Sequence, residues 1–275
     1  MRCAWQEFLS ILPVRLRNEV DNIGHNHLQE LRLRVNAPPE LVFSSGSVWL
    51  KEVVKRAELE YIINVATKYS PWCMDSAKHG YFTVSGGHRI GLCGEAVFKN
   101  DQMQGFRVVN AVSIRVARDY PGIGKNLASI SGSVIILGAP GWGKTTLLRD
   151  VVRHIGEKKH ICVVDERQEL FPEGFESGRC TDVLSGCPKK IGVEMLIRTM
   201  GPQYIAVDEI TAEEDANALV HAHGCGVFLW ATTHADSMDA FFRRTTYRPL
   251  VEKQVFQYAV VMKKDKTFCV ERVGS

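Results

Sequence analysis

Residues 134–146, VIILGAPGWGKTT, join a short, wholly apolar run to a glycine-rich loop, and TTLLRDVVRHI continues with helical spacing. This junction constrains the fold more than any other stretch. The loop satisfies GxxxxGK[ST] through Gly138, Gly143, Lys144 and Thr145, a pattern that has mechanical meaning only between a strand and a helix. Glycines let backbone N–H groups turn inward, and a helix N-terminus adds positive potential, so the junction is suited to phosphate. Across Gly138, Ala139, Pro140, Gly141, Trp142 and Gly143, then Lys144, Thr145 and Thr146, the expected ligand is ATP. Lys144 reaches the β- and γ-phosphates and Thr145 ligates Mg²⁺. Trp142 is bulky for such a loop and either stacks on something or shields the phosphates.

The rest of the second half repeats the strand–helix alternation. VIIL (134–137), ICVV (161–164), YIAV (204–207) and VFLWAT (227–232) are separated by TTLLRDVVRHI, GVEMLIRTM and EEDANALVHAH. Short continuous apolar runs suit strands buried on both faces, and helices between them imply parallel crossovers. The tail, YAVVMKKDKTFCVERV, reads as a hairpin turning at Lys264-Asp265.

Acids end these strands where phosphate chemistry needs them. YIAVDEI places Asp208 to bind the hydration shell of Mg²⁺ and Glu209 to orient and deprotonate an attacking water. The plain alternative is a helix cap leading into residues 213–223. VVDERQEL ends the inserted strand with Asp165, Glu166 and Glu169. There Glu166 either polarises water or belongs to a solvated acidic cluster. VFLWATTHADS brings Thr232, Thr233 and His234 to the carboxyl edge of the sheet, where ligands of parallel sheets bind. His234 could sense hydrolysis there.

The first half is of another kind. Trp5, Phe8, Leu9 and Leu12 have helical spacing, ended by Pro13 or resumed after it. ELRLRVNAPPELVF (30–43) reads as strand, turn, strand, and Glu58 to Tyr69 as an amphipathic helix. GYFTVSGGHRIGLCGEAVF (80–98) reads as a hairpin centred on Gly86-Gly87, and 108–118 as a strand. Pro121-Gly122-Ile123-Gly124 breaks the pattern. The expected organisation is a smaller α+β domain over 1–130 and a RecA-like α/β ATPase domain with a mostly parallel sheet over 131–275.

Composition sets the outer bounds. A chain of 275 residues has room for about two domains at roughly 150 residues each. The net charge of +3 is too small to argue for nucleic acid. The eight cysteines show no CxxC pair or zinc spacing and are expected to be reduced and mostly buried; Cys180 and Cys187 flank a loop and could pair. The N-terminal MRCAWQEFLSILPVRLRNEV does not read as a signal peptide, and no run approaches the ~18 apolar residues of a membrane span.

The P-loop, the acidic VVDERQEL, the YIAVDEI strand and ATTHADS, in this order, resemble the type II/IV secretion ATPases. Arg198, ten residues before Asp208, matches an arginine those ATPases carry. ELRLRVNAPPEL, GYFTVSGGHRIGLCGEAV, AVSIRVARDYPG and GAPGWGKTTLLRD together resemble the stage III sporulation protein AA family, over nearly the whole chain. GGHRIGLCGEAV is the specific part, since P-loops are common. The resemblance implies a cytoplasmic ATPase, peripheral at a membrane complex on the mother-cell side. It further implies a homo-hexamer whose partners are the membrane proteins of the channel joining mother cell and forespore. In such rings N-domain arginines can touch the nucleotide, and Arg89 and Arg115 are the candidates. Three departures stand out. Asp208-Glu209 replaces the usual Gly-Glu, Thr211-Ala212 replaces arginine-aspartate, and Trp142 replaces a smaller residue.

Two competing readings remain. A RecA-like motor that moves nucleic acid would use the same core with the basic tail Arg243, Arg244, Arg248, Lys263 and Lys264, and would bind with steep salt dependence. A nucleotide-gated ring scaffold would assemble on ATP without turnover, but has no need of Glu209 as a base.

Overall fold

The protein is described by a computed structural model over residues 2–24, 27–68 and 80–273. It divides into two compact units, Met1–Asp119 with Pro172–Phe175, and Tyr120–Phe171 with Glu176–Ser275.

The first unit is built on an antiparallel sheet. Its strands are β1 (Glu30–Arg34), β2 (Glu40–Phe43), β3 (Gly46–Trp49), β4 (Tyr81–Thr83), β5 (Arg89–Lys99) and β6 (Gln102–Arg115), in the order β3-β2-β1-β6-β5-β4. Alternation in ELRLR buries Leu31 and Leu33 and exposes Arg32, as a half-buried strand requires. Helices α1 (Trp5–Ser10) and α2 (Val14–Gly24) lie either side of Pro13, so the helical pattern resumes after the proline. Phe8, Leu12, Leu16 and Val20 join Leu31, Leu33, Ile90 and Ile114 in one core. Each such side chain contributes roughly 1.5–3 kcal/mol on burial. Helix α3 (Arg56–Ala66) adds Leu59, Ile62 and Ile63. It begins two residues before the expected Glu58, and Tyr69 lies outside the described residues.

Two hairpins occupy the stretch read as one. Gly86 and Gly87, at φ +78° and +77°, turn β4 into β5, with Thr83 facing Arg89. A longer ribbon then turns at Asn100 and Asp101, both left-handed (φ 51° and 58°), as a type I′ turn needs. The following strand, expected over 108–118, runs from Gln102 to Arg115.

The second unit carries a seven-stranded sheet: β7 (Val134–Leu137), β8 (Ile161–Asp165), β9 (Thr181–Ser185), β10 (Tyr204–Val207), β11 (Phe228–Thr233), β12 (Tyr258–Met262) and β13 (Phe268–Arg272). The order is β13-β12-β7-β11-β10-β8-β9, and every neighbouring pair is parallel except the terminal β12–β13 hairpin. The fold class is therefore the expected α/β, an antiparallel N-terminal sheet followed by a mostly parallel one.

Both faces of the inner strands are covered, which explains their continuous apolar runs. Val134, Ile136, Ala206, Trp230 and Val260 pack with α4 (Lys144–Ile155). Ile135, Leu137, Ile205, Val207, Leu229 and Ala231 pack with α5 (Lys189–Met200) and α6 (Glu213–Gly224) on the other face. Strands β3 and β9 and the short helices α7 (Met238–Arg243) and α8 (Arg248–Glu252) were not expected.

The cysteine expectation needs correction. Among the described residues only Cys162 is buried, while Cys93 and Cys225 are exposed, and Cys180 and Cys187 are free thiols. Cys93 sits on the β5–β6 ribbon and Cys225 just after α6, and packing covers neither. Burial raises the Cys162 thiol to about 11. No helix among the described residues is long and apolar enough to cross a membrane.

Candidate functional site

Parallel strands share a carboxyl edge, so the loops after β7, β8, β10 and β11 meet at one side of the sheet. The P-loop follows β7. Gly141 (φ +79°) and Gly143 (φ +97°) adopt left-handed backbone that disfavours side chains. Gly138 is required for space, because a Cβ there would stand 2.9 Å from Met262 Cβ. Trp142 is half-buried against the core on the α4 face.

Lys144 opens α4, is 6% exposed, and turns its ammonium back into the loop, donating to the Ala139 carbonyl at 3.1 Å. Its Nζ also lies 2.9 Å from His234 Nδ1. Burial pulls the Lys144 pKa below its ordinary value, and Glu209 and Asp208 oppose that shift.

Thr145 Oγ1 is 3.3 Å from both oxygens of Asp208, and Thr232 Oγ1 donates to Asp208 Oδ1 at 2.9 Å. These are oxygen donors, the hard ligands Mg²⁺ prefers. Among the described residues no three or more His, Cys, Asp or Glu side chains cluster into a metal cage. The set therefore fits a Mg²⁺ that keeps its waters and takes its other oxygens from phosphate. The helix-cap alternative for the acidic pair fails for Asp208. The N-terminus of α6 is served by Asp215, which accepts from the Thr211 and Ala212 N–H groups.

Glu209 is held by both oxygens. His234 Nε2 stands 3.0 Å from Oε1 and Arg167 Nη1 3.2 Å from Oε2. Lys144, His234, Glu209 and Arg167 thus form one continuous polar chain along the sheet edge.

The acidic loop after β8 is tightly built. Buried Asp165 accepts the N–H groups of Glu169, Leu170 and Phe171. Burial raises its pKa, those N–H groups counter the rise, and nearby Asp208 adds to it. Glu166 pairs with Lys189 at the start of α5, and Lys189 also lies 3.9 Å from Asp215.

The arginines singled out in sequence stand on other elements of the chain. Arg198 is exposed in the last turn of α5. That helix starts beside Glu166, and Arg198 lies nine residues past its first residue, Lys189, about 13 Å along the axis and near the opposite end of the strands. Arg89 and Arg115 belong to the first unit, where they face each other across β5 and β6. The Arg89 guanidinium stacks on Tyr81 at 3.7 Å. Sequence reasoning missed Arg167 and Lys189. An arginine inside an acidic run signalled the first, and a lysine opening a helix, against its dipole, signalled the second.

Known proteins resemble this chain in sequence and in fold. Residues 4–271 match the family described as Sporulation stage III, protein AA. Stage III sporulation protein AA of Bacillus subtilis is 32% identical over 281 residues, covering 94% of this chain and 91% of that protein. Two solved structures share the fold. The Legionella pneumophila ATPase DotB is 17% identical with a TM-score of 0.61, over 93% of this chain and 77% of that one. The pilus retraction motor PilT with bound ADP is 15% identical with a TM-score of 0.63, over 90% and 77%.

Proposed function

The chain belongs to the sporulation stage III, protein AA family, and from that premise we propose that it is an ATP-hydrolysing motor of the secretion-ATPase type. The observation that carries this reading is the polar chain from Lys144 through His234 to Glu209, set beside the Thr145–Asp208 pair. A phosphate-loop lysine, a metal-side carboxylate and a second carboxylate suited to act as base stand at one edge.

The proposed step is water attack on the γ-phosphorus. An O–P bond forms to water, the β,γ-bridging P–O bond breaks, and ADP leaves. In this reading P-loop backbone N–H groups and Lys144 hold the phosphates, and Glu209 aligns the water and takes its proton. His234 sits between Lys144 and Glu209, where it links loop occupancy to the base. A magnesium ion carried by the triphosphate supplies charge neutralisation, and Thr145 and Asp208 are the residues that would hold it. Glu166, paired with Lys189, acts by fixing the acidic loop.

The proposed assembly is a homo-hexamer, peripheral on the cytoplasmic side of a membrane complex. It would energise the channel between mother cell and forespore in an endospore-forming cell. In a ring, Arg198, Arg89 and Arg115 could serve a neighbour's nucleotide. The test is steady-state ATP hydrolysis over a protein concentration series, for the natural chain and Glu209→Gln. Activity that rises more than linearly and vanishes in the variant supports a ring motor. ATP binding with no turnover, alone or with the membrane partners, sinks it.

A further inference from the structure

We propose that Arg167 is the arginine this site supplies, from its own chain, to the γ-phosphate, and that it is parked on Glu209 until a triphosphate arrives. The proposal rests on the ATPase reading above and adds a residue that neither the P-loop pattern nor the N-domain arginines point to.

Its placement comes first. Arg167 lies just after β8, whose neighbour in the sheet is β10, the strand that ends in Asp208-Glu209. Its Nη1 is 3.2 Å from Glu209 Oε2, so it closes the polar chain that begins at Lys144. The base and the guanidinium therefore face the same space.

The turn that carries Arg167 is fixed from three sides. Asp165 accepts three backbone N–H groups from residues 169–171 and, through its carbonyl, the Gly186 N–H. Arg149 of α4 donates to the carbonyls of Glu169 and Leu170. Lys189 of α5 binds Glu166. Gln168 holds a left-handed backbone (φ 57°) immediately after Arg167. So much anchoring of a four-residue turn exceeds what a solvated loop needs, and pre-organised charge is what stabilises a transferring phosphoryl group.

The Arg167–Glu209 contact is itself of a replaceable kind. The arginine side chain is 43% exposed and meets the carboxylate through one nitrogen. Such exposed pairs contribute little. A triphosphate brings more negative charge, and its oxygens match the guanidinium fork. Exchange of partners then does two things at once. Arg167 moves to the γ-phosphate, and Glu209 regains an oxygen for the attacking water.

The experiment compares the full chain with Arg167→Ala and Arg167→Lys. The readouts are affinity for ADP, affinity for a non-hydrolysable ATP analogue, and kcat. In Arg167→Ala we expect ADP affinity to hold, analogue affinity to fall about 10-fold, and kcat to fall roughly 100-fold or more. Arg167→Lys should restore part of the analogue affinity. The ratio of the two affinities is read without turnover, so it tests Arg167 even if the natural chain shows no hydrolysis and the ATPase reading fails. An unchanged ratio overturns the proposal. Equal losses for ADP and analogue overturn it too, because Arg167 would then only hold the loop. A rise in kcat would make the residue a latch on Glu209 and nothing more.

Discussion

Thr145 Oγ1 stands 3.3 Å from each carboxylate oxygen of Asp208, so the first turn of the P-loop helix and the end of β10 share one contact. Thr232, on the strand between them, donates to the same carboxylate at 2.9 Å. Three elements therefore fix one oxygen donor. Asp208→Ala should lower ATP hydrolysis roughly 100-fold and raise the Mg²⁺ concentration needed for half-maximal rate. A magnesium titration of the rate checks this; an unchanged Mg²⁺ requirement would remove Asp208 from the metal side.

Lys144 illustrates a site held at a cost in stability. Its ammonium is buried and its pKa lowered by that burial. Lys144→Met should therefore raise the Tm measured without nucleotide by roughly 2–4 °C. It should also abolish the stabilisation that added ATP gives the natural chain. Thermal melts with and without ATP decide it. A variant that still gains stability from ATP would contradict the assigned role of the lysine.

His88 gives the first unit a pH dependence. Its ring is buried; Nε2 reaches the Ala4 carbonyl at 2.8 Å and Nδ1 accepts the Ala117 N–H at 3.1 Å. Phe8 packs beside it, and Glu7 and Arg118 are the charged groups that act on it. Burial holds its pKa below 6.5. Below that pH the unfolded chain takes up a proton that the folded chain refuses, so stability is full above 6.5 and falls with acid. Melts between pH 7.5 and 5.5, values bracketing the ordinary histidine range at about 6.5, should show this loss, and His88→Gln should flatten it. Equal slopes in both chains would refute the assignment.

Asp150 is a structural carboxylate of the second unit. It accepts the N–H groups of Gly122, at 2.9 and 3.0 Å, and of Gly124 at 2.7 Å, and pairs with Arg153 at 2.5 Å. Asp150 is fully buried and Arg153 is 7% exposed. Removing one partner of a buried pair costs about 3–5 kcal/mol. Asp150→Ala should lose that much in urea unfolding, with nucleotide contacts untouched. A loss under about 1 kcal/mol would mean the carboxylate contributes no more than a surface ion pair.

The sequence made the parallel core easy to read, because strands covered on both faces must be apolar throughout, as in VIIL and YIAV. The edge strands β4 and β13 were legible through their hairpins, whereas β3 and β9 were not, for the converse reason. Strand β9 (TDVLS) has one sheet neighbour and β3 (GSVW) is exposed at all four positions, so neither carries an apolar run or clear alternation. The Asn100-Asp101 turn hid because it lacks the glycine that usually marks a type I′ hairpin. At the site, Lys144, Thr145, Asp208, Glu209 and His234 were found by pattern and meet in space. Arg167 carries in sequence only the weak signal of an arginine inside an acidic run. Its relation to Glu209 depends on β8 lying beside β10, and strand order is a property of the fold that residue spacing does not encode.

The central claim is tested most directly by mixing the Glu209→Gln chain and the natural chain, each in turn, with labelled ATP in a single-turnover measurement, following bound nucleotide and released phosphate together. The account predicts that both bind ATP, that the natural chain releases phosphate, and that Glu209→Gln holds ATP uncleaved. Phosphate release at the natural rate from Glu209→Gln would contradict it, because the carboxylate at the centre of the polar chain would then play no part in activating water.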